Sequence, residues 1–164
     1  MPYTNNNVID LDLSVTKKKQ FRINGDDSRI LELNTSDMGI IARVADFYPK
    51  MKELQEKASN LMAGVNTEDL ESDDLDVSLK AFSTISEKLK EIDRQMREML
   101  DNMFDAPVSE ICAPDGSMYD PFNGSFRFEH IMNLLMDQYE SNLQAEYAKM
   151  EKQMSKYTSK YKKG

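Results

Sequence analysis

The sequence predicts a mostly helical α+β fold: a small N-terminal antiparallel sheet followed by three long helices with coiled-coil-like packing. Three observations carry this. Apolar residues alternate with polar ones in short runs from Ile9 to Leu33, recur in steps of three and four afterwards, and give way to a cluster of Pro and Gly over 105–124. The expected organisation is one structural unit, with a β segment at 1–34 packed on a helical part at 35–164 that contains the loop 105–124.

The β segment reads as three strands. Ile9, Leu11, Leu13 and Val15 alternate with Asp10, Asp12 and Ser14, the pattern of a half-buried strand. A second short run, Gln20-Phe21-Arg22-Ile23, follows three lysines. Asn24-Gly25-Asp26-Asp27 is a turn, because Asn and Gly tolerate positive φ. Arg29-Ile30-Leu31-Glu32-Leu33 then returns as the third strand and makes a hairpin with the second. So small a sheet is marginal alone and must pack on something.

Asn34-Thr35-Ser36-Asp37 supplies N-cap candidates for the first long helix. Its stripe is Ile40, Ile41, Val44, Phe47, Tyr48, Met51, Leu54, Ala58, Leu61 and Met62. Pro49 should kink or interrupt it near Phe47, and Gly64 should end it. The acidic run at 66–76 is a linker or the approach to the next helix, where negative charge suits an N-terminus. The second helix is expected over 76–104. Its seam of Phe82, Ile85, Leu89, Ile92, Met96, Met99 and Met103 has heptad spacing, and Phe82, Ile85, Leu89, Ile92 and Met96 are expected to be buried; its outer face is charged, with Asp93 placed to pair with Arg97.

Within 105–124, Val108-Ser109-Glu110-Ile111-Cys112 has room for one or two helical turns. Asp120-Pro121-Phe122-Asn123-Gly124 reads as a turn whose aromatic plugs the core. The last helix starts near Ser125 and runs towards Tyr161. Its early stripe, through Phe128, Ile131, Leu135, Tyr139 and Leu143, belongs to a broad apolar face. From Tyr147 only a thin line remains: Tyr147, Met150, Met154, Tyr157 and Tyr161. That end should project from the body or pair with another chain, and these five residues are the candidate partner-binding set.

The bulk numbers narrow the function. The chain has 164 residues, of which 40% are hydrophobic and 30% charged, enough for one domain with a core. It contains no apolar run near the roughly 20 residues of a membrane span. The start, Met1-Pro2-Tyr3-Thr4, has neither a basic nor an apolar signal region. With one cysteine, Cys112, an internal disulfide is impossible, and a cytoplasmic site of action is expected. A net charge of −8 disfavours nucleic acid. The lysine-rich end from Lys149 to Lys163 reads as a solvated helix end, with RNA or membrane contact as the alternative. Twelve methionines either replace Leu in helix cores or make an adaptable binding surface.

Catalytic patterns are missing. His130 and Cys112 are the only histidine and cysteine, so no HExxH pair or Cys/His cluster exists. The glycines form no GxGxxG or P-loop, and Asp115-Gly116 with Asp120 lacks the EF-hand order. A binding protein without cofactor or metal is expected.

In the order of its elements the chain resembles the tail assembly chaperones of long-tailed phages of Gram-positive bacteria. The resemblance rests on Phe21-Arg22-Ile23-Asn24-Gly25-Asp26 turning into Ile30-Leu31-Glu32-Leu33, then a capped helix from Ser36-Asp37 and a charged second helix. Met118-Tyr119-Asp120-Pro121-Phe122-Asn123-Gly124 leads into Phe128-Glu129-His130-Ile131, and a Lys- and Tyr-rich helical end follows. It implies a non-enzymatic factor that binds the tape measure protein, keeps its helices soluble and is absent from the finished particle. It also implies a longer product made by frameshifting near Lys162-Lys163. Read from the residues alone, a homo-oligomeric coiled-coil scaffold or regulatory protein is the alternative.

Overall fold

The computed structural model describes residues 7–13, 18–64 and 67–162. Their elements are β1 (Lys19–Ile23), β2 (Asp26–Leu33), α1 (Ile40–Ala63), α2 (Thr67–Leu70), α3 (Leu75–Phe104), α4 (Val108–Cys112), β3 (Pro121–Phe122), β4 (Ser125–Phe126) and α5 (Arg127–Lys162). The fold is mostly helical, with a small antiparallel sheet near the N-terminus and three long helices after it.

Among the described residues the first sheet has two strands, not three. β1 and β2 pair antiparallel through a two-residue turn in which Asn24 and Gly25 both take positive φ, 54° and 70°. Such a turn matches the right-handed twist of its strands. Phe21 faces Leu31 and Lys19 faces Leu33, with an irregularity between Arg22 and Ile23. Leu31 and Leu33 are fully buried, while Glu32 between them is exposed. The strand expected over Ile9–Val15 does not form across residues 8–13, where Val8, Ile9, Leu11 and Leu13 all face solvent. Val15 lies outside the described residues. Alternation marks an amphipathic extended segment, but a strand also needs a neighbour to complete its hydrogen bonds.

α1 and α3 form an antiparallel pair. At one end Arg43 Nε donates to the Met103 carbonyl at 2.6 Å. At the other, Leu61 and Gly64 share a cleft with Val77, Ala81 and Ile85. The residues that α1 buries most deeply, Ile40, Phe47 and Leu54, recur every seven positions, with Val44, Met51 and Ala58 half-buried between them. Pro49 does not interrupt the helix. It removes one backbone donor, but Pro49 and Ala45, whose carbonyl loses its bond, both lie on the exposed side where water reaches.

The acidic run contributes the short α2 and then the start of α3. The Asp74 carboxylate accepts the Asp76 N–H at 3.0 Å and caps the helix. Only the C-terminal half of the α3 seam is core. Ile92, Met96, Leu100, Met103 and Phe104 are buried, whereas Ile85 is half-buried and Phe82 and Leu89 are exposed. The expectation of a buried seam from Phe82 onward is therefore corrected. Among the described residues α3 meets α1, α2, α4 and α5, and α4 and the loop it belongs to are held at Arg97 and Asp101, in the C-terminal half. One long neighbour cannot cover a full stripe.

A polar knot holds the 105–124 loop on α3. Arg97 Nε pairs with Asp93 at 2.8 Å, and its other nitrogens donate to the carbonyls of Ala113 (2.7 Å) and Gly116 (2.9 Å). The second Asp93 oxygen accepts the Met118 N–H at 2.6 Å. Asp101 caps α4 by accepting from both the N–H and the hydroxyl of Ser109. Arg29 reaches from β2 to the carbonyls of Ile111 and Cys112 at 2.9 and 3.0 Å. These bonds tie the sheet and the loop to one core that also contains Val108, Met118, Phe128, Ile131, Leu135 and Tyr139. Phe122 does not plug that core. It sits on the tight β3–β4 hairpin, exposed, against His130, and the buried ring nearby is Phe128.

Candidate functional site

α5 changes character along its length. Phe128, Ile131, Leu135 and Tyr139 are buried, and the Tyr139 ring lies 5.9 Å from that of Phe104. Burial pushes the Tyr139 hydroxyl pKa up. Asn142 Nδ2 donates to the Ser36 hydroxyl at 2.9 Å, close to where α5 leaves the body. Leu143 and Glu146 are half-buried, and every residue from Tyr147 to Lys156 is exposed. The projecting end expected from the thinning stripe is thus present.

Where α5 leaves α1, a groove of about 440 Å³ opens between them. Ile40, Ile41 and Val44 form its α1 side, and Met136, Tyr139, Leu143 and Tyr147 its α5 side. Tyr147 at the groove is 56% exposed, and the line continues along the helix to Met150 (57%) and Met154 (70%). The described members of the candidate set thus lie along one helix and continue an apolar groove. Tyr157 and Tyr161 fall on α5 by backbone, but their side chains lie outside the described residues. Glu140 and Gln144 also line the groove, and Lys149, Lys152 and Lys156 are exposed farther along α5. The α1 wall was missed in the sequence. Ile40, Ile41 and Val44 sat in a stripe read as core, and nothing local shows that Ile41 stays outside while Ile40 is buried.

A second and larger cleft, about 660 Å³, lies elsewhere, between α1, α3 and the loop, and Ala58, Leu89, Ile92, Tyr119 and Phe126 line it. Tyr119 packs edge-on to Phe126 and Phe128, with centroids 5.4 and 5.3 Å away. Its hydroxyl is buried with no hydrogen-bond partner among the described residues, and burial followed by the Asp93 charge pushes its pKa up to about 12. The larger volume is the less telling feature. This cleft is the gap left where α3 outruns its neighbours, whereas the α1–α5 groove opens onto a helix that carries apolar side chains away from the body.

The remaining chemistry-bearing side chains are dispersed. His130 is half-buried and lies against Phe122, with ring centroids 4.4 Å apart. The Cys112 thiol is half-buried and burial raises its pKa to about 11, so at neutral pH it is protonated and a poor nucleophile. Among the described residues no group of three or more His, Cys, Asp or Glu is gathered that could hold a metal ion. No helix among them is long and apolar enough to cross a membrane. In comparison with known proteins, no family model, no curated protein and no solved structure matches the chain.

Proposed function

We propose that this protein is a non-enzymatic assembly chaperone that holds an apolar helical partner in solution. The observation that supports this reading is the α1–α5 groove and its continuation into exposed Tyr147, Met150 and Met154 on a projecting helix. An amphipathic partner helix laid in the groove would bury its apolar face against both walls. The unbranched thioethers of Met136, Met150 and Met154 repack around partners of unlike shape, which suits a protein that must accept many stretches of one long helical chain. The partner in this proposal is the tape measure protein of a long-tailed phage, as the sequence resemblance implies. The site of action is then the host cytoplasm, and the chaperone leaves before the particle is complete. No cofactor, nucleic acid or membrane enters this scheme.

A homo-oligomeric coiled-coil scaffold is the competing reading of the same stripe, and one experiment separates the two. Co-expression of a phage tape measure protein with the full chain, and with the chain lacking residues 148–164, reads the soluble fraction of the partner. The expected result is a soluble partner with the full chain and a precipitated one with the truncated chain, whose helical circular dichroism otherwise persists. A partner equally soluble with both would overturn the α5 site. Loss of self-association on truncation, with no effect on any partner, would favour the scaffold.

A further inference from the structure

We infer that residues 8–13 of one copy add as a strand to the open edge of β1 in a second copy. This surface is distinct from the α1–α5 groove, and the inference does not depend on the chaperone reading. Val8, Ile9, Leu11 and Leu13 are 67%, 82%, 74% and 75% exposed, although Ile9, Leu11 and Leu13 alternate as a strand does. A run of large apolar side chains left in water is a surface waiting for cover. β1 offers what such a segment lacks. Among the described residues it pairs with β2 alone, so its other edge is open to another strand.

The two segments match in face and in charge. On β1, Phe21 and Ile23 face the core and are only half-buried, while Gln20 and Arg22 point outward and are exposed. A strand laid along this edge with Ile9, Leu11 and Leu13 on the Phe21 face would complete the cover of those two side chains. The same register turns Asp10 and Asp12 to the Arg22 side. The arm carries no basic residue across 8–13, and the receiving segment carries Lys18, Lys19 and Arg22, the last of which also pairs with Asp27 of its own hairpin at 3.0 Å. Cross-strand pairing of opposite charges and of apolar side chains is what stabilises such an edge.

The second copy is the occupant because one sequence contains both halves of the match. Among the described residues the arm makes no ladder with its own β1. Two copies related by a two-fold axis exchange two arms for two edges, and the interface closes on itself.

Sedimentation equilibrium of the full chain tests this. The expected result is a concentration-dependent dimer. Ile9→Asp with Leu11→Asp should raise its dissociation constant about tenfold or more. The helical circular dichroism should not change, because both side chains are exposed in the single copy. Arg22→Glu also removes the Arg22–Asp27 pair of the hairpin, so its weakening of the dimer is read together with the rescue: Asp10→Arg with Asp12→Arg in that background should restore the dimer, which loss of the hairpin pair alone would not allow. A wild-type chain that stays monomeric at every concentration would overturn the inference, as would a dimer indifferent to the Ile9 and Leu11 substitutions. Hydrogen-exchange protection of the arm that is independent of concentration would place it on its own β1 and overturn the second-copy assignment. None of these substitutions touches α5, so partner solubility reports separately on the chaperone reading.

Discussion

The two halves of α5 carry much the same apolar rhythm and meet opposite fates. Phe128, Ile131, Leu135 and Tyr139 are sealed in the core, while Tyr147, Met150 and Met154 stand in solvent on the same helix. Steps of three and four put side chains on one face in both halves. Burial depends on whether another element lies opposite that face. The proximal half has α3 and the β3–β4 hairpin around it. The distal half has outrun them. The surface that leaves is also the softer one: no branched aliphatic residue lies in the described stripe after Leu143, which passes to Tyr and Met. A half built of Phe, Ile and Leu holds one packing arrangement, and a half built of Met and Tyr can adapt to several.

This contrast can be broken most directly at matched positions. Phe128→Ala should cost about 3–5 kcal/mol of unfolding free energy, as expected for a large buried ring replaced by a cavity. Met150→Ala should stay within about 0.5 kcal/mol, since its side chain is exposed in the folded chain. Urea unfolding followed by circular dichroism measures both. A cost at Met150 near that at Phe128 would mean the distal half is covered in solution.

A smaller effect is expected at the polar knot. Arg97→Met keeps the stem but leaves the largely buried Asp93 carboxylate without its ion pair and two loop carbonyls without a donor. The loss should be about 1–3 kcal/mol. Amide exchange should accelerate first across residues 113–118, because Arg97 is what pins that backbone to α3. An unchanged exchange rate there would show that the buried Met118 alone positions the loop.

The smallest effect concerns acid. The Asp37 carboxylate accepts the Gly39 N–H at 2.8 Å and then pairs with Arg43, and both lower its pKa below the ordinary 3.8. A carboxyl held lower in the folded chain than in the unfolded one contributes stability that is complete above the unfolded value. That contribution is lost as pH falls through the folded one. Stability should therefore drop as pH is taken below about 4. Asp37→Asn should flatten that limb slightly and leave the neutral range nearly parallel to wild type. A variant whose stability falls as steeply with acid as the wild type would remove Asp37 from the account.

Much of the fold was legible in the residues. Asn24-Gly25 required positive φ and so announced the hairpin. The acidic run at 66–76 marked the approach to a helix start, though not the capping residue, and the Pro and Gly positions of 105–124 marked the segment that folds back as α4 and the small second hairpin. The candidate stripe from Tyr147 to Met154 was legible too, because an apolar face that narrows to one residue per turn has too little area to be core. Less legible were the exposure of Phe82 and Leu89 and the groove wall at Ile41. Each depends on where a different helix ends, and local periodicity holds no information about that.

The sequence by itself determined the local conformations: where the chain turns, where helices begin, and which side of each element is apolar. Backbone sterics, capping and periodicity act over a few residues, so they can be read from a few residues. The tertiary structure decided which apolar faces found partners. It buried Met96 and left Leu89 exposed on one seam, passed Pro49 through an unbroken helix, and left Ile9, Leu11 and Leu13 without a strand to join among the described residues. Those outcomes depend on how many elements converge at a point in space. Burial is a property of neighbours brought together by the whole chain, and an amphipathic pattern states only which side is ready for one.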